Sequence, residues 1–148
     1  MLHLNNIWIM SRLKIYAIVI GLAILTGCRG GEKSVEMGPV ETVEAFCKAV
    51  AACDWDKAQE LCDTLSMKEY IDGYRTAVNK LEKEDEGAAK IAISLLENTT
   101  VNVNDVHKHE DKRVVTYTLE TDGLSKTRKA TLRKEEGAWR VEAITEAD

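Results

Sequence analysis

The chain has 148 residues and a formal charge of -5, with 45% hydrophobic but only 5% aromatic residues. That length is one domain's worth, and its excess of acid excludes partners built on phosphates, because its long-range field repels nucleic acid and anionic lipid headgroups alike. With so few aromatic rings, aliphatic and alanine side chains have to carry the core.

The first element is a basic patch, Ser11-Arg12-Leu13-Lys14, followed by the apolar run Ile15-Tyr16-Ala17-Ile18-Val19-Ile20-Gly21-Leu22-Ala23-Ile24. Spanning a bilayer takes about 20 apolar residues, and Arg12 and Lys14 cap this run short of that. A positive n-region, a short h-region and a small-residue cleavage site instead define a secretory signal over residues 1–27. Met10 directly precedes the basic patch and is the expected true start.

Leu25-Thr26-Gly27-Cys28 closes the run and resembles the lipobox of bacterial lipoproteins. The resemblance implies that Cys28 receives fatty acid (a diacylglycerol and an N-acyl chain such as palmitate) and becomes the new N-terminus. Each buried lipid methylene contributes about 0.8 kcal/mol, so more than one chain makes a lasting anchor. The implied address is the bacterial cell envelope, with the membrane as a partner through the lipid. Arg29 stands where an aspartate favours inner-membrane retention in enteric lipoproteins, which points to the outer membrane, facing the periplasm. Cleavage removes Arg12 and Lys14 and no acid, taking the charge from -5 to -7.

Residues 28–38 read as the acylated cysteine and a tether, with Gly30, Gly31 and Ser34 and no apolar period. The domain, 39–148, opens at Pro39, suited to the first position of a helix, with Glu41 and Glu44 in its first turns. Val43, Phe46, Cys47 and Val50 recur at helical spacing. Asp54 caps a second helix with Ala58, Leu61, Cys62 and Leu65 on its apolar face. Ser66-Met67-Lys68-Glu69 has the form of a capping box and opens a third helix with Met67, Tyr70, Ile71, Tyr74, Val78 and Leu81 on one side. The charged stretch 82–87 reads as a solvated bend before a fourth helix with Ala88, Ile91, Ala92 and Leu95 on its stripe.

An exported compartment permits disulfides, and a helical hairpin turning at Asp54 sets Cys47 and Cys62 at equal height. A bond between them would contribute roughly 3 kcal/mol by chain entropy; otherwise they and Cys53 are small buried hydrophobes. No histidine lies near these helices to activate a thiol.

Past Asn98 the apolar period becomes two. Val101 and Val103, then Val115, Tyr117 and Leu119, then Ala130 and Leu132, then Trp139, Val141 and Ala143 mark four strand faces. Val106 breaks parity with Val103, so a bulge is expected at Asn104-Asp105. Turn chemistry separates the strands at 109–112, Asp122-Gly123 and Glu135-Glu136-Gly137. The fold class is therefore α+β, with N-terminal helices on one face of a four-stranded antiparallel meander.

Glu41-Thr42-Val43-Glu44-Ala45-Phe46-Cys47-Lys48-Ala49-Val50, then Cys53-Asp54-Trp55-Asp56-Lys57-Ala58, resembles the opening helical hairpin of the nuclear-transport-factor-two-like, cystatin-type fold. Gly137-Ala138-Trp139-Arg140-Val141 is similar to its last strand. The resemblance implies a small bacterial lipoprotein with one such domain. These are packing motifs and imply fold rather than chemistry.

Four groups of residues are site candidates. His107 and His109 share a strand face beside Asp105 and Asp111, but metal needs three or four convergent ligands, and the mature chain has no third histidine. Tyr74, Tyr117 and Trp139 mark a pocket between helices and sheet. Asp72 lies between apolar helix positions and is expected to face water. Lys126, Arg128, Lys129, Arg133 and Lys134 form a basic strand, read as a charge-protected sheet edge or a docking face. The expected function is a non-catalytic domain that binds an envelope protein or a small ligand, without a cofactor. The alternative is an enzyme using Tyr74, Tyr117 and Asp72, of the isomerase or dehydratase type that the resemblance implies.

Overall fold

The structure, a computed structural model, describes residues 36–147. The signal, Cys28 and most of the tether lie outside the described residues. Four helices precede four strands: α1 Pro39–Ala51, α2 Trp55–Glu60, α3 Lys68–Glu84, α4 Glu86–Glu97, then β1 Thr100–His109, β2 Lys112–Thr121, β3 Leu124–Glu135 and β4 Ala138–Glu146. The strands form one antiparallel sheet in the order β1-β2-β3-β4. The domain is α+β. Among the described residues no helix is long and apolar enough to cross a membrane.

The meander follows from its turns. Asp122-Gly123 and Glu136-Gly137 each place two consecutive residues at positive φ. That twist matches the flanking strands and suits two-residue hairpins, with glycine taking the second position at no steric cost. The bulge expected at Asn104-Asp105 is present, as a register shift between Val103 and Asp105. A second shift falls between Thr131 and Leu132. It leaves Glu142 unmatched, so Ile144 rather than Ala143 packs against the core after Val141.

Val115, Tyr117, Ala130, Leu132 and Val141 are buried in one cluster with Val43, Phe46, Met67 and Ile71. The α1 stripe read from the sequence is the buried one, with Cys47 half-buried beside it. Thr42 is buried as well, its hydroxyl donating to the Gly38 carbonyl at 2.8 Å.

Four expectations for the helical half need correction. The second helix stops at Glu60, because the chain turns at Leu61 and Cys62 then bridges to Val141 beside the sheet edge (Val141 N–H to Leu61 O 3.0 Å, Asp63 N–H to Val141 O 2.8 Å). Leu65 is consequently 87% exposed instead of continuing that helix's apolar face. The capping box does not form. The Asp63 carboxylate takes the Leu65 and Ser66 amides at 3.1 and 2.8 Å, and the helix begins after Met67 without a side-chain cap. In α4 the inward stripe is Ala89, Ala92, Ile93 and Leu96, leaving Ile91 64% exposed. Both stripes satisfy helical spacing, since the apolar side of this helix, opposite Glu86, Lys90, Ser94 and Glu97, is wide enough to hold either, and periodicity alone does not choose between them. The charged bend is a single residue, Asp85, whose carboxylate caps α4 through the Ala88 amide at 3.0 Å.

Candidate functional site

The helix–sheet junction holds a cavity of about 150 Å³. Its apolar wall includes Phe46, Val50 and Ala51 from α1, Leu96 from α4, and Val101 and Leu119 from β1 and β2. Its polar side is Tyr70 and Tyr74 from α3, Cys47 from α1 and Arg128 from β3.

The polar side follows from helix and strand periods. Tyr70 and Tyr74 are four residues apart, hence neighbours on one helix face, with ring centroids 5.1 Å apart. Arg128 shares strand parity with Ala130 and Leu132, whose side chains enter the core. Its Nη1 donates to the Tyr70 hydroxyl at 2.9 Å and to the Tyr74 hydroxyl at 3.2 Å. Among the described residues no carboxylate lies within ion-pair distance of Arg128. Burial works against its charged form. The Tyr74 hydrogen bond and the surrounding phenols more than offset this, so the guanidinium stays charged.

Behind this wall lies Tyr117, wholly buried, whose hydroxyl makes no hydrogen bond among the described residues. The Cys47 thiol and Arg128 are near enough to influence its ionisation, the thiol as a close but weak sulfur partner that leaves the hydroxyl unsatisfied. Burial raises both Tyr70 and Tyr117 well above the usual phenol range, with further contributions from Tyr74 at Tyr70 and from Cys47 at Tyr117. Burial also pushes the Cys47 thiol up to about 11, so it is a thiol and not a nucleophilic thiolate at neutral pH.

Of the expected pocket residues, Tyr74 lines the cavity, Tyr117 backs it, and Trp139 does neither. Trp139 instead stacks under the Arg113 guanidinium, 5.2 Å from its ring centroid. Cys47 and Cys62 are both free thiols. Their symmetric placement fails because α2 is too short to carry Cys62 back along α1. Cys62 sits beside Val141, where burial raises it to about 11 as well. Asp72 pairs with Lys68 and takes no part in lining the cavity; that hydrogen bond lowers its pKa. His107 is exposed and contacts Asp105 at 2.5 Å; among the described residues no three His, Cys, Asp or Glu side chains converge as metal ligands.

The basic strand is not an edge. β3 lies between β2 and β4, and its cations are distributed: Lys126 pairs with Glu146, Arg133 with Glu142 at 3.2 Å and Lys134 with Glu36 at 2.6 Å. Arg128 points to the cavity instead, and grouping it with its basic neighbours hid it. Its parity with Ala130 was the signal that distinguishes it.

No known family profile matches the chain, and no curated protein matches it. Among solved structures it is similar to a SEC-C motif containing protein from Rhodopseudomonas palustris, at 16% identity and a TM-score of 0.44, over 74% of this chain and 79% of that one. A likeness that loose carries no functional inference.

Proposed function

We propose that the protein is a lipid-anchored lipoprotein of the bacterial cell envelope whose domain, of nuclear-transport-factor-two-like kind, binds a small ligand without transforming it. Acylation at Cys28 holds it at the membrane, in this reading the outer membrane facing the periplasm. The cavity carries the binding half of the proposal: a concave apolar space with a few convergent polar groups is the usual form of a small-molecule site. An isomerase- or dehydratase-type reaction needs a general base within hydrogen-bond reach of the proton it takes. Asp72 is engaged outside the cavity, and the carboxylate at its rim, Glu97, is exposed.

Two variants test the two halves. Cys28→Ser should abolish incorporation of labelled palmitate and release the protein from the membrane fraction; unchanged processing and pelleting sink the anchor. For the cavity, protein released from envelopes in mild detergent should carry a small molecule by native mass spectrometry. Ala51→Trp, which fills the cavity, should lose it. Equal retention by that variant, or nothing bound to either, sinks the binding role.

A further inference from the structure

The geometry points to an anion-binding cavity whose ligand is a compact amphiphilic monocarboxylate, seated with its carboxylate on Arg128 and the Tyr70 and Tyr74 hydroxyls and its apolar body against Phe46, Val50 and Leu119. This rests on the small-ligand reading above and adds the ligand's chemical class.

Donors and acceptors are out of balance on the polar side of the cavity. A guanidinium carries five N–H donors and accepts nothing. The Nη1 group of Arg128 is engaged by the two phenol oxygens, while Nε and Nη2 make no hydrogen bond among the described residues. Neither atom is among the sealed, partnerless polar atoms, so both remain open to an incoming group. Each phenol oxygen accepts from Arg128 and keeps its own proton. Even if one hydroxyl donates to the other, one proton stays available. The polar side of the cavity is thus rich in donors and poor in acceptors. A carboxylate is the complement, able to take two parallel N–H bonds from the fork.

The surrounding charges do not supply that acceptor. Glu146, on the neighbouring strand, feels Arg128, but its carboxyl is hydrogen-bonded by Lys126, the main cause of its lowered pKa. Glu97 and Lys48 line the rim with opposite signs, and both are exposed. Size limits the ligand as well. An apolar cavity near 150 Å³ takes a body about as large as benzene, and this one is about 150 Å³. Long acyl chains do not fit wholly within it.

The test uses the mature acylated protein in lipid nanodiscs, with empty nanodiscs correcting for partition. Fluorine NMR follows 4-fluorobenzoate, 4-fluorobenzyl alcohol and 4-fluorobenzylamine, which share a ring and differ in charge. Wild type should bind the benzoate roughly tenfold or more tighter than the alcohol, the scale of a charge-assisted hydrogen bond. The amine should bind more weakly still. Arg128→Gln, with folding checked by circular dichroism, should bring benzoate and alcohol to parity. Tyr74→Phe keeps the charge and removes one hydroxyl; it should weaken the benzoate several-fold and spare the alcohol, and it decides the matter if Arg128→Gln does not fold. Equal affinity for alcohol and benzoate in wild type, preference for the amine, or a benzoate preference surviving in Arg128→Gln overturns the anion site while leaving a ligand cavity standing. If none of the three probes binds, the cavity reading falls with it.

Discussion

Replacing Tyr117 with phenylalanine should stabilise the protein, the reverse of the usual outcome for a buried tyrosine. A buried hydroxyl with a good partner is worth about 1 kcal/mol, and its removal normally costs that much. Here the hydroxyl is sealed in the core with no hydrogen-bond partner among the described residues, and a desolvated, unbonded polar group costs about 1–3 kcal/mol. Against that relief stands the void left by one oxygen, worth up to ~1 kcal/mol in a packed core. The neighbouring Cys47 thiol is a weak acceptor and offsets little. The balance favours Tyr117→Phe by about 1 kcal/mol, a rise in Tm of roughly 4 °C for a domain of this size. Urea and thermal melts at pH 7 measure it, and Cys47→Ala completes a double-mutant cycle. A loss of about 1 kcal/mol in Tyr117→Phe, or a coupling to Cys47 above about 0.5 kcal/mol, would refute the reasoning by showing that the hydroxyl is bonded after all.

Three further outcomes follow from other parts of the structure. Iodoacetamide at pH 8 should modify Cys53 first in the native protein. Cys47 and Cys62, both raised to about 11 by burial, should react only on unfolding, and a Cys47–Cys62 disulfide peptide in the digest would contradict the free thiols. Gly123→Ala should destabilise by about 1 kcal/mol, because φ is +78° there and a Cβ is strained at that angle however open the space; denaturant midpoints give the answer. Asp63 is held below the usual carboxylate range, first by the Ser66 hydrogen bonds and also by the Leu65 amide. Its unfolded form therefore binds a proton first as pH falls. The stability it contributes is full above about pH 4 and disappears as pH drops through the lower folded value. Tm measured against pH should fall less steeply over that acid window in Asp63→Asn, and identical slopes would exclude the role.

Much of the architecture was legible because its signals are local. Alternation through Val115, Tyr117 and Leu119, with Asp122-Gly123 and Glu136-Gly137 as turns, specifies a meander whatever surrounds it. Val106 even announced the bulge, since a strand that loses parity must insert a residue. The first helix was equally plain, because only one of its faces is apolar.

The site was harder to read, for reasons of distance and degeneracy. Local pattern placed the elements, the helix-then-strand order and the strand parity that sends Arg128 inward with Ala130 and Leu132. Folding alone decided which of two equivalent stripes of α4 turned in. It also decided that Cys62 left its helix to pair with Val141, and that Tyr70 and Tyr74 met a guanidinium more than fifty residues away. Periodicity reports which residues share a face, whereas what that face meets depends on contacts between elements far apart in the chain.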